Sequence, residues 1–196
     1  MPYPSPHYSR VGSRRFAPAP MAPALQRLPP TRASEACAPT PPLRGVREGE
    51  EILIVPATED HAVRLVLREG DAAELAALGI GKDAGLRAAL ARAVWAETYL
   101  IDGEPAAIVG LGRSALAGGH GVPWLLTSPT VERHRKLFLR ESRRQVARML
   151  AEVRPLVNWV HADYRRAVRW LAWLGFELDP PLPLNGAPFR RFRLGH

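Results

Sequence analysis

Cysteine is nearly absent from this chain of 196 residues: Cys37 is the only one. That excludes an intramolecular disulfide and any site built from several thiolates. No run approaches the roughly 20 apolar residues of a membrane-spanning helix. The N-terminus carries arginine and proline where a secretory signal needs an apolar stretch. The chain is therefore expected to be made in the cytosol, without export or membrane insertion.

Lysine is scarce too. Lys82 and Lys136 are the only two among 27 basic residues, set against 19 acidic ones for a formal net charge of +8. An arginine-dominated surface of this kind, with a pI near 10.7, favours nucleic acid, an anionic cofactor or a negative protein surface. A GC-rich coding sequence gives the same bias, so charge alone does not choose a partner.

Proline, in contrast, is plentiful and unevenly placed. Of the 20 prolines, those from Pro2 to Pro42 are spaced so that neither a helix nor a central strand runs through them. Residues 1–50 are therefore predicted to form a proline-rich arm, extended or disordered, and residues 51–196 one folded domain. Tyr3, Tyr8, Phe16, Met21, Leu25 and Leu28 alternate along the arm with Arg10, Arg14, Arg15, Arg27 and Arg32. Such a pre-extended segment suits a partner surface, or is a tail with no specific role.

Within the domain, the β-branched run 51–57 predicts a strand, followed by a helix capped by Thr58, with Ala62, Val63, Val66 and Leu67 as its apolar positions and Gly70 as its stop. A short helix over 72–78 and a longer one, capped by Asp83 and ending near Trp95 with Leu86, Leu90 and Val94 on one face, come next. Strands at 97–101 and 106–111 flank Asp102-Gly103, a tight-turn dipeptide. A glycine turn at 118–121 leads to a strand at 122–127, and Ser128-Pro129 opens a helix of about twenty residues with a stripe of Val131, Phe138, Val146 and Met149. Its other side carries Arg133, Arg135, Lys136, Arg140, Arg143, Arg144 and Arg148, expected to form a solvated face. A strand at 156–162, a helix capped by Asp163 and stopped by Gly175, and a closing hairpin of 176–178 with 189–194 complete the domain. Trp159, Trp170 and Trp173, on that last strand and helix, are expected to pack in the core.

This order, and above all the stretch VNWVHADYRRAVRWLAWLGFEL at 157–178, resembles the GNAT acetyltransferases, with Ala167, Gly175 and Phe176 at the positions that pack the helix and re-enter the sheet. The resemblance implies an α/β (α+β) fold: a mixed, mostly antiparallel sheet flanked by helices. It also implies a coenzyme A site between two splayed strands, with the pyrophosphate on the amides of an Arg/Gln-x-x-Gly-x-Gly/Ala loop. The corresponding register here runs from Arg133 to Phe138, with Lys136 and Phe138 at the glycine positions and no glycine at all between Gly121 and Gly175. Side chains there are expected to fill the pyrophosphate nest, while Arg133, Arg135 and Lys136 still attract phosphate by charge. The family's proton-donating tyrosine is replaced by Leu171, which has no proton to give, and its helix asparagine by Tyr164. For a general base the chain offers Glu97, His120 and His161, none placed by a diagnostic motif.

A second resemblance covers residues 124–194, including WLLTSPTVERHRKLFLRESRR and PFRRFRL, and is to the internal virion protein A family of short-tailed bacteriophages. It implies a virion or assembly protein with a non-catalytic GNAT-like domain and no cofactor. Such a protein would dock on other virion proteins through the arm and basic surface, within the particle and, during assembly, in the host cytoplasm. The alternative is an acyl-CoA-dependent N-acyltransferase using acetyl-CoA. A third reading, direct nucleic-acid binding, requires Arg165, Arg166, Arg169, Arg190, Arg191 and Arg193 to share a face with the Arg-rich helix.

Overall fold

The computed structural model describes residues 50–114 and 119–195. Apart from Glu50, the expected arm lies outside the described residues, as does Gly118 of the glycine turn. The elements in chain order are β1 (Ile52–Pro56), α1 (Glu59–Arg64), α2 (Glu69–Ala77), α3 (Lys82–Arg92), β2 (Ala93–Ile101), β3 (Glu104–Arg113) and β4 (Gly121–Thr127). A single 3-10 turn (Pro129–Glu132) then leads to α4 (Arg135–Glu152), β5 (Leu156–His161), α5 (Arg165–Trp173), β6 (Glu177–Leu178), β7 (Leu182–Leu184) and β8 (Ala187–Leu194).

The turn chemistry reads directly from the residues. Asp102 and Gly103 adopt φ of 51° and 77°, and Asn185 and Gly186 adopt 51° and 81°, the paired positive angles of tight hairpins. Gly175 ends α5 at φ 95°. The Thr58 hydroxyl accepts from His61 N, so that cap forms as expected; Ser128 accepts from Thr130 N ahead of Pro129, but it caps the 3-10 turn, and the long helix α4 begins only at Arg135.

Other boundaries fall elsewhere too, the end of α1 and the start of β2 for tertiary reasons. Helix α1 ends at Arg64 because Leu65 turns extended, which buries its side chain completely and leaves Val63 and Val66 in solvent. Gly70 is no stop; it sits in the first turn of α2, where an added Cβ would lie 2.3 Å from the Tyr164 ring. Gly81, not Asp83, occupies the cap position of α3, and Tyr164, not Asp163, that of α5. Finally, Val94 and Trp95 belong to β2, because pairing of Trp95 with Leu111 extends the β2–β3 hairpin past the point where helical spacing would carry α3.

The sheet order is β1-β2-β3-β4-β5-β8-β6, with β7 also on β8. All neighbours are antiparallel except β4 and β5. The central strand β3 is buried from Pro105 to Leu111, as expected for a strand covered on both faces. On one face Ile108 packs with Ala62, Leu65 and Leu86 from the α1–α3 side. On the other, Val109 and Leu111 pack with Met149 and Leu171 of α4 and α5. Two helical layers thus sandwich one sheet. Of the three tryptophans expected in the core, Trp170 packs against it in part and Trp173 is 43% exposed, with the Arg143 guanidinium 4.1 Å from its ring centroid.

The exposure contrast at the end of α1 yields a direct test. Leu65→Ala is expected to lower stability by about 2–5 kcal/mol, and Val66→Ala to leave it within about 0.5 kcal/mol, both read by chemical denaturation. Equal effects would mean that the helix continues past Arg64.

Candidate active site

Strands β4 and β5 form the one parallel pair, and they share a single register match, Gly121 with Leu156. A Cβ at Gly121 would lie 2.6 Å from Val153 and 2.7 Å from Leu156, so glycine lets the two strands meet there. One further tie follows, from Asn158 Nδ2 to Pro123 O at 2.8 Å. Beyond it the strands diverge. The gap opens into a cleft of about 1330 Å³ whose walls include residues 122–126 of β4. Successive strand residues face opposite sides of a sheet, so this cleft passes through the sheet from the α1–α3 face to the α4–α5 face.

Helix α2 bridges the open end. Asp71 is buried and accepts from Thr127 N (3.0 Å) and Thr127 Oγ1 (2.5 Å) at the end of β4, and from the Tyr164 hydroxyl (3.1 Å). The Arg68 guanidinium lies 3.7 Å from the same carboxylate. Three residues on, Glu74 Oε1 accepts from His161 N (3.0 Å) at the end of β5. Burial pushes the Glu74 carboxyl up to about 7, with the nearby Asp71 charge adding and the His161 amide opposing. Burial and the Asp71 charge also raise the Tyr164 hydroxyl.

On the α4–α5 face the cleft reaches the start of α4. The cap residue His134 makes no side-chain cap bond and has the Glu50 carboxylate 3.6 Å from its Nε2, while the first turn itself carries no acid and begins with Arg135 and Lys136. Arg133, Arg135 and Lys136 are all exposed. The Lys136 side chain points to solvent instead of filling the nest, whereas the Phe138 ring packs on Trp170 with centroids 5.6 Å apart. Deeper in the same groove, Trp170 Nε1 and Gln145 Oε1 are buried without a hydrogen-bond partner among the described residues. A buried donor and a buried acceptor left open in one groove match a ligand that carries amide groups.

The bases considered from sequence lie apart from this cleft or carry other contacts. Glu97 accepts from Arg148 Nη1 (2.6 Å) and Gln145 Nε2 (2.9 Å) on β2. His120 sits just before β4 at the closed end of the gap, and its carbonyl accepts from Ser114 N. His161 packs edge-on against Phe189, with Nδ1 near Asp163 N. Leu171 is buried in the core. Among the acids that line the cleft is Glu74, which is not among the bases expected from sequence; its signal is the Asp71–Glu74 spacing of three, which puts two acids on one face of a helix.

Much of the basic surface is locally neutralised. Arg140 and Arg144 lie against the buried Glu141, Arg166 against Glu132, Arg191 against Asp179, and Arg193 against Glu177 and Asp179. Among the described residues there is no acidic, histidine or cysteine group that could hold a metal, and no helix long and apolar enough to cross a membrane.

No family model and no curated protein matches the sequence. Solved structures do match the fold. The aminoglycoside acetyltransferase AAC(6')-Ib in complex with coenzyme A superposes with a TM-score of 0.54 at 15% identity, over 74% of this chain and 94% of its own. A candidate GNAT-family acetyltransferase from Bordetella pertussis gives 0.54 at 13% identity, over 76% and 98%. A candidate acetyltransferase from Salmonella typhimurium, with its cofactor acetyl-CoA, gives 0.50 at 16% identity, over 73% and 92%. With its strand order, its two helical layers and the parting of β4 from β5, the domain has the fold of the GNAT acetyltransferases.

Proposed function

We propose that the chain is an acyl-CoA-dependent N-acyltransferase. The observation that carries this reading is the single β4–β5 register match, beyond which the sheet opens into a cleft with distinct mouths on its two faces. Fold alone does not fix an activity, but the chemistry along the cleft suits acyl transfer. The start of α4 offers a positive helix end with Arg133, Arg135 and Lys136 around it, which suits a diphosphate. Trp170 Nε1 and Gln145 Oε1 would supply a donor and an acceptor to the amides of a pantetheine arm. Coenzyme A, when bound, supplies the acyl group as a thioester.

On the opposite face Glu74 is the general base. Its carboxyl is held near 7, so at neutral pH it is divided between forms able to accept and to return a proton. It would take the proton that an amine sheds as its nitrogen bonds to the acyl carbon, and would return it to the sulfur as the carbon–sulfur bond breaks, so that the sulfur leaves as the thiol. Asp71, with all its contacts made inside the fold, positions α2 and takes no part in the proton transfer. The virion-assembly reading keeps only the texture of residues 124–194 as its basis; the neighbours above are acetyltransferases or candidates for that activity.

Calorimetric titration of the full chain with acetyl-CoA tests the cofactor half. Saturable binding is expected, with thermal stabilisation by mass action, and the double change Arg135→Glu with Lys136→Glu is expected to weaken it by at least about tenfold at low salt. Absence of binding at millimolar cofactor would sink the proposal.

The Glu74 assignment has a test that needs no substrate. The folded carboxyl titrates at about 7 against 4.5 for an unperturbed one, so folding favours the protonated form. Stability is therefore highest below about pH 4.5, for this group alone, and is lost as the pH rises towards 7. Glu74→Gln is expected to flatten that part of a thermal-unfolding series. In turnover, the same variant is expected to lose the rise in rate through pH 7.

A further inference from the structure

The acceptor mouth of the cleft has a chemistry of its own, set by register. Because Gly121 pairs with Leu156, Trp124 on β4 and Trp159 on β5 stand three residues along from that match and so at the same height on the two diverging strands. They also share a face. Trp124 packs with the cluster on the α1–α3 side, and Leu156 and Val160 point to the α4–α5 side, which turns Trp159 the other way. Both indoles are half-buried and both line the cleft. Trp124 lies flat over β3, where a Cβ at Gly110 would come within 2.3 Å of its ring. Leu75 of α2, Leu78 at its C-cap and Leu86 of α3 complete apolar walls.

Among the described residues, one acidic group in this bay has an oxygen available to a ligand. Of the acids lining the cleft, Asp71 is saturated by Thr127 and Tyr164, while Glu132 is held by Arg166 and Glu141 by Arg140 and Arg144. Glu74 uses one oxygen on His161 N, and its second oxygen has no partner among the described residues. His161 is two residues beyond Trp159 on the same strand and face, a step of roughly 7 Å. The bay therefore presents two indole walls and, one strand repeat away, a carboxylate with no cation beside it. Arg68 lies beside Asp71 and stacks on Tyr164, with its Nε buried and unpartnered among the described residues.

We propose that the acyl acceptor is a hydrophobic primary amine with an aromatic body, its ring between Trp124 and Trp159 and its ammonium on Glu74. This deepens the acyltransferase reading and rests on it. The indoles supply buried area and aromatic stacking, and attract the cationic end where it nears their faces. The carboxylate discriminates by charge, since an anionic analogue of the same shape would meet Glu74 with like charge in a partly desolvated bay.

The experiment is calorimetric titration of the full chain, without coenzyme A, with three probes: 2-phenylethylamine, 3-phenylpropionate, which has the same phenylethyl body with a carboxylate for the ammonium, and the flexible polyamine spermidine. The aromatic amine is expected to bind at least tenfold more tightly than either of the others. Glu74→Gln, which keeps the side-chain volume, is expected to abolish the preference over 3-phenylpropionate. Trp124→Phe and Trp159→Phe keep an aromatic wall and guard against loss of fold; Trp159→Leu is expected to weaken the amine at least tenfold while acetyl-CoA affinity stays within twofold. Equal or tighter binding of the carboxylate, preference for spermidine, no amine binding at millimolar concentration, or Kd values unmoved in Glu74→Gln and Trp159→Leu would each overturn the proposal. Acetyl-CoA is titrated separately, so failure of the cofactor reading is visible even where the amine binds.

Discussion

The architecture turns on one interaction, the capture of the end of β4 by the buried carboxylate of Asp71. Two parallel strands that share one register match would ordinarily either zip together or separate and expose their backbone to unmet hydrogen-bonding demand. Here the demand is met from the side. Asp71 takes Thr127 N, Arg68 N donates to Thr127 O, and Glu74 takes His161 N, so α2 substitutes for the missing partner strand at the wide end of the gap. The glycine at 121 and the Asn158 bridge hold the narrow end. The opening is therefore a built feature of the native state.

The same arrangement explains why the two carboxylates of α2 behave differently although they are three residues apart. Asp71 accepts three hydrogen bonds and has a guanidinium nearby, and its role is fully structural. Glu74 is desolvated with only one amide to compensate, and the negative Asp71 beside it raises its proton affinity further. One network thus fixes the cleft and tunes a titratable group within it, as expected where structural and functional demands meet on one helix. Gly70 belongs to this network too, since only a residue without Cβ lets the Tyr164 ring reach Asp71 across α2.

The opposite face is organised by different physics. The interior polar contacts of α4, Gln145 and Arg148 on Glu97 with Tyr99 alongside, lie between helix and sheet and restrain a helix that carries few large apolar residues. Burial drives the Tyr99 hydroxyl up to about 12, so it stays protonated within that network. Seen this way, the run of arginines on α4 is only partly a solvated face: Arg148 is drawn inward by Glu97 and stacks on Trp95, and Arg143 covers Trp173.

Local chemistry alone determined the hairpin at Asp102-Gly103, the caps at Thr58 and Ser128, the stop at Gly175 and, through element order, the fold itself. Each of these depends on φ angles, hydrogen-bond donors or periodicity within a few residues, which the sequence carries directly. Tertiary structure decided the rest. The roles of Gly70, Gly110 and Gly121 depend on rings and strands brought from elsewhere in the chain. The reassignment of Val94 and Trp95 to β2 depends on β3. The sequence offers no sign of the burial of Glu74 and offers Glu97 as a candidate base; the end of β5 beside the one, and Gln145 and Arg148 of α4 on the other, decide their roles. Proton affinity and ligand shape are properties of what surrounds a group, and around Glu97, Glu74 and Asp71 those surroundings come from residues 48 to 93 positions away.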